Sequence, residues 1–310
     1  MNITVIGAGA MGCLFGGRLN SVSQNNVLLV DKWDEHVNKI NSDGLHIRSE
    51  NGVEQIPVHA TLSTLSLGPA DIVIPFTKSQ DTEKALDGAR GVFGKDTLVL
   101  TLQNGLGNVE KLAKYVPVEQ IIVGITTFPS DIVGPGIIST KGGGKTSIMG
   151  ADGVRRTQMD ALAGILDEAG LNCTVADDIY VKIWEKLAFN AALNALCAVT
   201  RLPVGGIGRS QQGRKLAMSV VGEVVEVANL KGIKADPERC RKMIEMAFAS
   251  HKDHHPSMLQ DILAKRPTEI EAINAAVVRE ADQLGIQLPV TETLADLVKV
   301  IQMGYDLAEG

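Results

Sequence analysis

Asn2-Ile3-Thr4-Val5-Ile6-Gly7-Ala8-Gly9-Ala10-Met11-Gly12-Cys13 opens the chain and decides how its first half is read. Asn2 to Ile6 is a short β-rich run, glycines follow at once, and Cys13 to Leu19 has helical composition: strand, glycine turn, helix. In that context the G-x-G-x-x-G spacing of Gly7, Gly9 and Gly12 has a mechanical meaning. The first glycine permits a tight turn, the second lets backbone approach a pyrophosphate, and the third lets the helix pack closely. Residues Gly7, Ala8, Gly9, Ala10, Met11 and Gly12 would then offer unpaired N–H groups to the phosphates. A purely structural turn is the bland alternative. Gly16 and Gly17 fall inside the helix, where each is unfavourable by about 1 kcal/mol relative to Ala, so close helix-to-sheet contact is expected there.

Outward from this opening, Val27 to Val30 is a second apolar run ending at Asp31. Further buried-strand candidates follow at Ala70 to Phe76, Thr97 to Leu102 and Gln120 to Ile125. Helical stretches at Gln80 to Ala89 and Asn108 to Tyr115 alternate with them, which predicts an α/β domain: a Rossmann-type, doubly wound parallel sheet covered on both faces. Leu171 to Ala176 reads as its last strand. The segments Arg155 to Ala169, Asp178 to Val199, Gly213 to Gly232, Pro237 to Ala249 and Thr268 to Leu284 carry helical periodicity. The expected division is a dinucleotide-binding domain over 1–175 and an all-helical substrate-binding and catalytic domain over 176–310. The 310 residues, about twice the commonest domain size, leave room for two cores.

Composition narrows the function classes. Thirty basic against 36 acidic residues give a net charge of −6, and only 11 residues are aromatic, so the chain has neither the positive field nor the stacking surface of a nucleic-acid binder. No basic and apolar leader precedes Asn2, and no apolar run approaches the roughly 20 residues needed to span a bilayer. A cytoplasmic protein without a membrane partner is expected. The four cysteines, Cys13, Cys173, Cys197 and Cys240, are scattered and form no C-x-x-C pair, so reduced, mostly buried thiols are expected. His251, His254 and His255 have helical metal-ligand spacing without a supporting Cys or carboxylate pattern, and no metal is assigned.

Asp31 stands 19 residues after Gly12, where a carboxylate accepts hydrogen bonds from an adenosine ribose and repels a 2′-phosphate. That favours NADH over NADPH, although Lys32 follows and could turn toward a phosphate. Thr77-Lys78-Ser79-Gln80 and Gln103-Asn104-Gly105-Leu106-Gly107 follow two further strands, at the ends where ligands of open α/β sheets bind. A helix cap at Asn108 and a surface Lys78 are the alternatives. Gly142-Gly143-Gly144-Lys145-Thr146 looks like a phosphate loop, but Ser139 stands where the first glycine is required, and a hairpin turn is expected instead.

From Leu187 to Ala198 only Asn190 and Asn194 are polar. Lys186, Asn190 and Asn194 are four apart and share one helix face, so they must meet hydrogen-bonding groups or a ligand. A desolvated lysine has its pKa lowered toward neutrality and can protonate a developing alkoxide, while asparagines beside it orient hydroxyl and carboxylate groups. An interdomain polar stripe is the competing reading. Lys182 continues the row, nearer solvent. Ser257 would bind a substrate carboxylate or cap the helix it opens, and Glu269 would pair with the lysine or with ribose hydroxyls, unless Thr268-Glu269 is only a helix start.

Taken together, GAGAMG at Gly7 to Gly12, Thr77-Lys78, Gln103 to Gly107, Lys186 with Asn190 and Asn194, Ser257 to Asp261 and Thr268-Glu269-Ile270 resemble the ketopantoate reductase family over nearly the whole chain. The resemblance implies NAD(P)H-dependent reduction of the 2-oxo group of ketopantoate to D-pantoate, a step toward pantothenate and coenzyme A, with the substrate in a cleft between domains. It makes Lys186 the general acid, Asn190, Asn194 and Ser257 substrate-binding, and Lys78, Asn104 and Glu269 neighbours of the cofactor and reacting groups. Two positions depart from the family pattern. Asp31-Lys32 replaces a common arginine, and His254 stands where asparagine is frequent. A D-2-hydroxyacid dehydrogenase acting on a bulkier or different 2-oxo acid shares every one of these residues, and a 3-hydroxyacid dehydrogenase has a similar plan without the Ser257 and Glu269 segment. A non-catalytic dinucleotide sensor has no use for Lys186. The apolar helices can pack within the chain or against a second copy, which leaves a homodimer open.

Overall fold

The computed structural model describes residues 1–64 and 67–307, and the chain divides into two compact units. The first comprises Met1–Gln103 and Asn108–Ile179, the second Asn104–Gly107 and Tyr180–Gly310.

In the first unit, β1 (Asn2–Ile6) leads through the glycine turn into α1 (Ala10–Asn20). There follow β2 (Asn26–Val30), α2 (Asp34–Asp43), β3 (Leu45–Ser49), β4 (Gly52–Ile56), β5 (His59–Thr61), β6 (Ile72–Pro75), α3 (Thr82–Gly88) and β7 (Leu98–Thr101). The unit continues with α4 (Asn108–Leu112), β8 (Ile121–Thr126), β9 (Asp131–Gly134), β10 (Ile137–Ser139), β11 (Thr146–Gly150), α5 (Thr157–Glu168) and β12 (Cys173–Val175). The main sheet runs β12-β11-β8-β7-β6-β1-β2-β5. Its central strands are apolar on both faces, with Ile3, Val5, Leu29, Val73, Ile74, Val99 and Leu100 all buried, because helices cover both sides. β1 pairs in parallel with β2 on one side and β6 on the other, so the winding reverses there. The crevice at such a reversal is where doubly wound sheets bind ligands.

Three details depart from what the sequence leads one to expect. β11 runs antiparallel to β8, making the sheet mixed. A second sheet, β4-β3-β10-β9, is built from two hairpins joined by parallel pairing of β3 with β10. The Gly142 to Thr146 segment is not a hairpin turn, since it carries the chain from β10 in the small sheet to β11 in the large one. There, the Gly144 carbonyl accepts a bond from Asn172 Nδ2 at 2.8 Å.

α1 lies between the sheets, and its paired glycines explain how. A β-carbon on Gly16 would stand 2.4 Å from Leu29 of the large sheet, and one on Gly17 would stand 2.8 Å from Leu45 of the small sheet. Each glycine permits one contact.

The second unit is helical: α6 (Ile179–Thr200, from Tyr180 on), α7 (Val204–Arg209), α8 (Gln211–Leu230), α9 (Pro237–Ser250), α10 (Ser257–Leu263), α11 (Asn274–Leu284) and α12 (Pro289–Leu307). α6 is its axis. Trp184, Leu187, Ala188, Ala191, Ala192, Leu193, Ala195, Leu196, Cys197 and Ala198 are all buried, which is what a helix apolar on nearly every side requires. Caps set the other helices. Ser210 accepts the Gly213 N–H at 3.1 Å, Asp236 accepts from Glu238 and Arg239, and Glu223 of α8 takes the Val290 and Thr291 N–H groups that open α12. Glu185 on α6 is buried against the Arg239 guanidinium, its oxygens 2.6–2.9 Å away. All four cysteines are unpaired and buried.

α11 begins only at Asn274, so Thr268 and Glu269 lie in the loop before it and do not start a helix. Ser257 opens α10 without capping it, and its side chain is exposed. Among the described residues no helix is long and apolar enough to cross a membrane, and no three His, Cys, Asp or Glu side chains are placed to hold a metal ion.

Candidate active site

The glycine turn at the end of β1 is sterically determined. Gly7 has φ +96°, and a β-carbon there would stand 2.8 Å from Thr77 N; one on Gly12 would overlap the Gly7 carbonyl at 1.9 Å. A β-carbon on Gly9 meets nothing within 4 Å. Two glycines are thus demanded by the fold, whereas the third keeps space open where α1 presents its first N–H groups. Gly9 is the N-cap of α1 and no acidic residue stands in the first turn, so the positive end of the helix faces that space. The cradle fits a pyrophosphate.

Asp31 closes β2, is half-buried, and accepts the Trp33 N–H at 3.0 Å through Oδ1. Lys32 is exposed, with its amine 3.9 Å from Asp81. At the ends of β6 and β7, Gln103 Nε2 donates to the Thr77 carbonyl at 2.7 Å and to Thr82 Oγ1 at 2.8 Å. Lys111 donates to Ser79 through its carbonyl and hydroxyl, and Ser79 in turn bonds Asn108. This network fixes the loop that carries the half-buried Lys78.

The second unit brings Lys186, Asn104 and Glu269 together. Gly105, at φ +83°, turns the loop so tightly that a β-carbon would lie 2.2 Å from the Ala272 carbonyl, and Leu106 N–H donates to that same carbonyl at 2.8 Å. Asn104 Nδ2 then reaches Glu269 Oε2 at 3.4 Å. Glu269 is held from α12, where Gln302 Oε1 accepts the Thr268 N–H at 2.6 Å. Burial pushes the Lys186 amine down to about 8, and the Glu269 carboxylate opposes that shift. The lysine is therefore protonated at neutral pH and close to releasing its proton.

One and two turns along α6, Asn190 is half-buried and Asn194 is 5% exposed. Among the described residues neither amide has a hydrogen-bond partner, so both donor and acceptor capacity is left for a ligand. Ser257, by contrast, is exposed at the start of α10. Sequence reasoning missed Gln302, Gln103 and Lys111 as supports, since nothing local marks a partner tens of residues away. It also missed Asn274, buried on α11 and donating to the Ala191 carbonyl at 3.0 Å.

The family model described as "Ketopantoate reductase PanE/ApbA" matches residues 3–153, and its C-terminal counterpart matches residues 178–302. The chain belongs to the ketopantoate reductase family. It is accordingly an oxidoreductase of the kind that acts on CH–OH groups. Within the ketopantoate reductase family, a relative from Streptococcus pyogenes named 2-dehydropantoate 2-reductase is 31% identical, covering 96% of this chain and 97% of that protein. One of the same name from Pyrococcus horikoshii is 33% identical over 96% and 97% of the two chains. Among solved structures, a D-mandelate dehydrogenase with NADH and anilino(oxo)acetate is similar at a TM-score of 0.94, with 32% identity over 99% of this chain and 100% of that one.

Proposed function

We propose that this enzyme uses a reduced nicotinamide dinucleotide to convert the 2-oxo group of ketopantoate to the hydroxyl of D-pantoate. One observation carries the reading: a lysine whose amine is brought to about 8 beside a carboxylate, on the same helix face as two asparagine amides with no partner among the described residues. The Gly7 to Gly12 cradle would hold the pyrophosphate, with Asp31 on the adenosine ribose and Lys78 near the dinucleotide. The dinucleotide, when bound, supplies the hydride that adds to C2 of the 2-oxo acid. Lys186 gives its Nζ proton to the carbonyl oxygen as negative charge develops there, and the neutral amine is reprotonated from solvent. Asn190 and Asn194 bind the substrate's polar groups, with Ser257 available to its carboxylate. Asn104 and Glu269 hold the lysine in place, and the carboxylate keeps its amine charged.

NADH is the proposed cofactor. The Asp31 carboxylate would accept from two ribose hydroxyls and repel a 2′-phosphate, and the exposed Lys32 beside Asp81 offers little to offset that repulsion. A second reading, a D-2-hydroxyacid dehydrogenase, is favoured by the 0.94 TM-score to the D-mandelate dehydrogenase with NADH. The two readings share one chemistry and differ in the substrate's side chain. Pantothenate and coenzyme A synthesis is the proposed setting of the first.

Replacing Lys186 by Ala tests the chemistry. The expected result is a loss of about 10²–10⁴ in turnover with dinucleotide affinity retained. Unchanged turnover would remove Lys186 from the mechanism.

A further inference from the structure

A chain of hydrogen bonds that the reaction does not use ends on the glycine turn. His36 on α2 is fully buried, and its Nδ1 accepts the Gly136 N–H at 3.0 Å from the turn between β9 and β10. A ring nitrogen that accepts carries no proton, so the proton of the neutral ring sits on Nε2. Nε2 lies 3.3 Å from Cys13 Sγ, and the Cys13 thiol donates to the Ala8 carbonyl at 3.1 Å. The donors therefore run one way, from Gly136 through His36 to the Ala8 carbonyl, which is met both by the Cys13 thiol and by the His36 ring. Burial pushes the His36 imidazole down and the Cys13 thiol up from their ordinary values, which keeps both groups in the neutral forms this order needs. Beside it, Ser130 Oγ donates to the Ala10 carbonyl at 3.0 Å, so both ends of the β9 segment are tied to the turn.

In a planar trans peptide the carbonyl and the next N–H point in opposite directions. Holding the Ala8 carbonyl inward therefore aims the Gly9 N–H outward, into the space that Gly9 leaves open. We propose that Cys13 and His36 are positioning residues for the dinucleotide: their relay from Gly136 fixes the Ala8–Gly9 peptide plane so that its N–H receives the pyrophosphate. This rests on the dinucleotide reading of the glycine turn.

The test is quenching of tryptophan fluorescence by NADH and by NADPH, in wild type, Cys13→Ala, Cys13→Ser, His36→Phe and the Cys13→Ala/His36→Phe double variant, each first shown to be folded by a circular-dichroism melt. Cys13→Ala and His36→Phe are each expected to weaken dinucleotide binding about tenfold, the loss of roughly one well-made hydrogen bond. The KM for the 2-oxo acid should move less than about twofold. Cys13→Ser, which still accepts from His36 and donates to Ala8, should restore most of the affinity. The double variant should lose less affinity than the sum of the two single losses, because both groups act on the one Ala8 carbonyl and on each other. Additive losses, or a serine variant as weak as the alanine one, would overturn the proposal. If His36→Phe does not fold, the contrast between Ala and Ser at position 13 decides. Wild type that is quenched by neither dinucleotide overturns the dinucleotide reading and the relay with it, an outcome visible before any variant is made.

Discussion

Lys186 and Glu269 have opposed effects that make a signed prediction. Desolvation favours the neutral amine and the carboxylate favours the charged one, leaving the amine at about 8. Reduction needs the charged form, so kcat/KM for the 2-oxo acid should be level at neutral pH and fall as pH rises through about 8. The reverse reaction should rise over the same interval. Glu269→Gln removes the negative charge that raises the amine, so the alkaline fall should move to lower pH; a pH–rate profile that is unmoved or displaced upward would contradict the pairing. That the lysine and asparagines share one face of an apolar helix was legible in the sequence, because they are spaced four apart and polar residues in such surroundings must be partnered or solvated. Pairing of Glu269 with the lysine was one of two readings, whereas the contact between Asn104 and Glu269 was not legible. Those two meet across 165 positions of chain, and periodicity carries no information about such a pair.

Elements differ in how openly the sequence declares them. β1 with its glycine turn is plain, because an apolar run ends in residues that only close packing explains. The steric difference between two of those glycines gives a second prediction. Gly9→Val places its side chain in open space and should leave the melting temperature near that of wild type while abolishing dinucleotide binding. Gly12→Val must displace the Gly7 carbonyl and should lose stability as well, by about 1–3 kcal/mol. Equal melting temperatures for the two variants would show that the turn is not as tight as described. The small sheet escaped sequence reading because its strands are three to five residues long and partly wet: four of the five residues of β4 are exposed. α12 escaped for a different reason. Leu294, Ala295 and Val298 are buried while Leu297, Val300 and Met303 on other faces are exposed, which blurs the helical stripe. α9 was read to within a residue from its helical periodicity, and its start falls where the structure places the Asp236 cap ahead of Pro237. Asp236→Ala should cost about 1 kcal/mol in a denaturant titration without altering KM; a changed KM would mean that α9 reaches the chemistry.

At the scale of the whole molecule, the proposed reaction asks a chain of net charge −6 to bind an anionic dinucleotide and an anionic 2-oxo acid. Overall charge therefore works against binding, and in the proposed reaction the affinity would come from local donors: the first N–H groups of α1, Lys186 and the α6 amides. The family was legible because its motifs are spread from Gly7 to Ile270, and the two matched regions, residues 3–153 and 178–302, cover most of the chain. The substrate's side chain was not legible. A few contacts with a methyl group or a ring distinguish one small 2-oxo acid from another by only about 1–3 kcal/mol, and no motif encodes them. The measurement that tests the central claim is the initial rate of loss of reduced-nicotinamide absorbance with ketopantoate and with phenylglyoxylate, each run with NADH and with NADPH at equal concentrations. The predicted result is rapid reduction of ketopantoate with NADH preferred over NADPH. Reduction of phenylglyoxylate alone would move the enzyme to the D-2-hydroxyacid dehydrogenase reading, and no turnover with either acid and either cofactor would contradict the account.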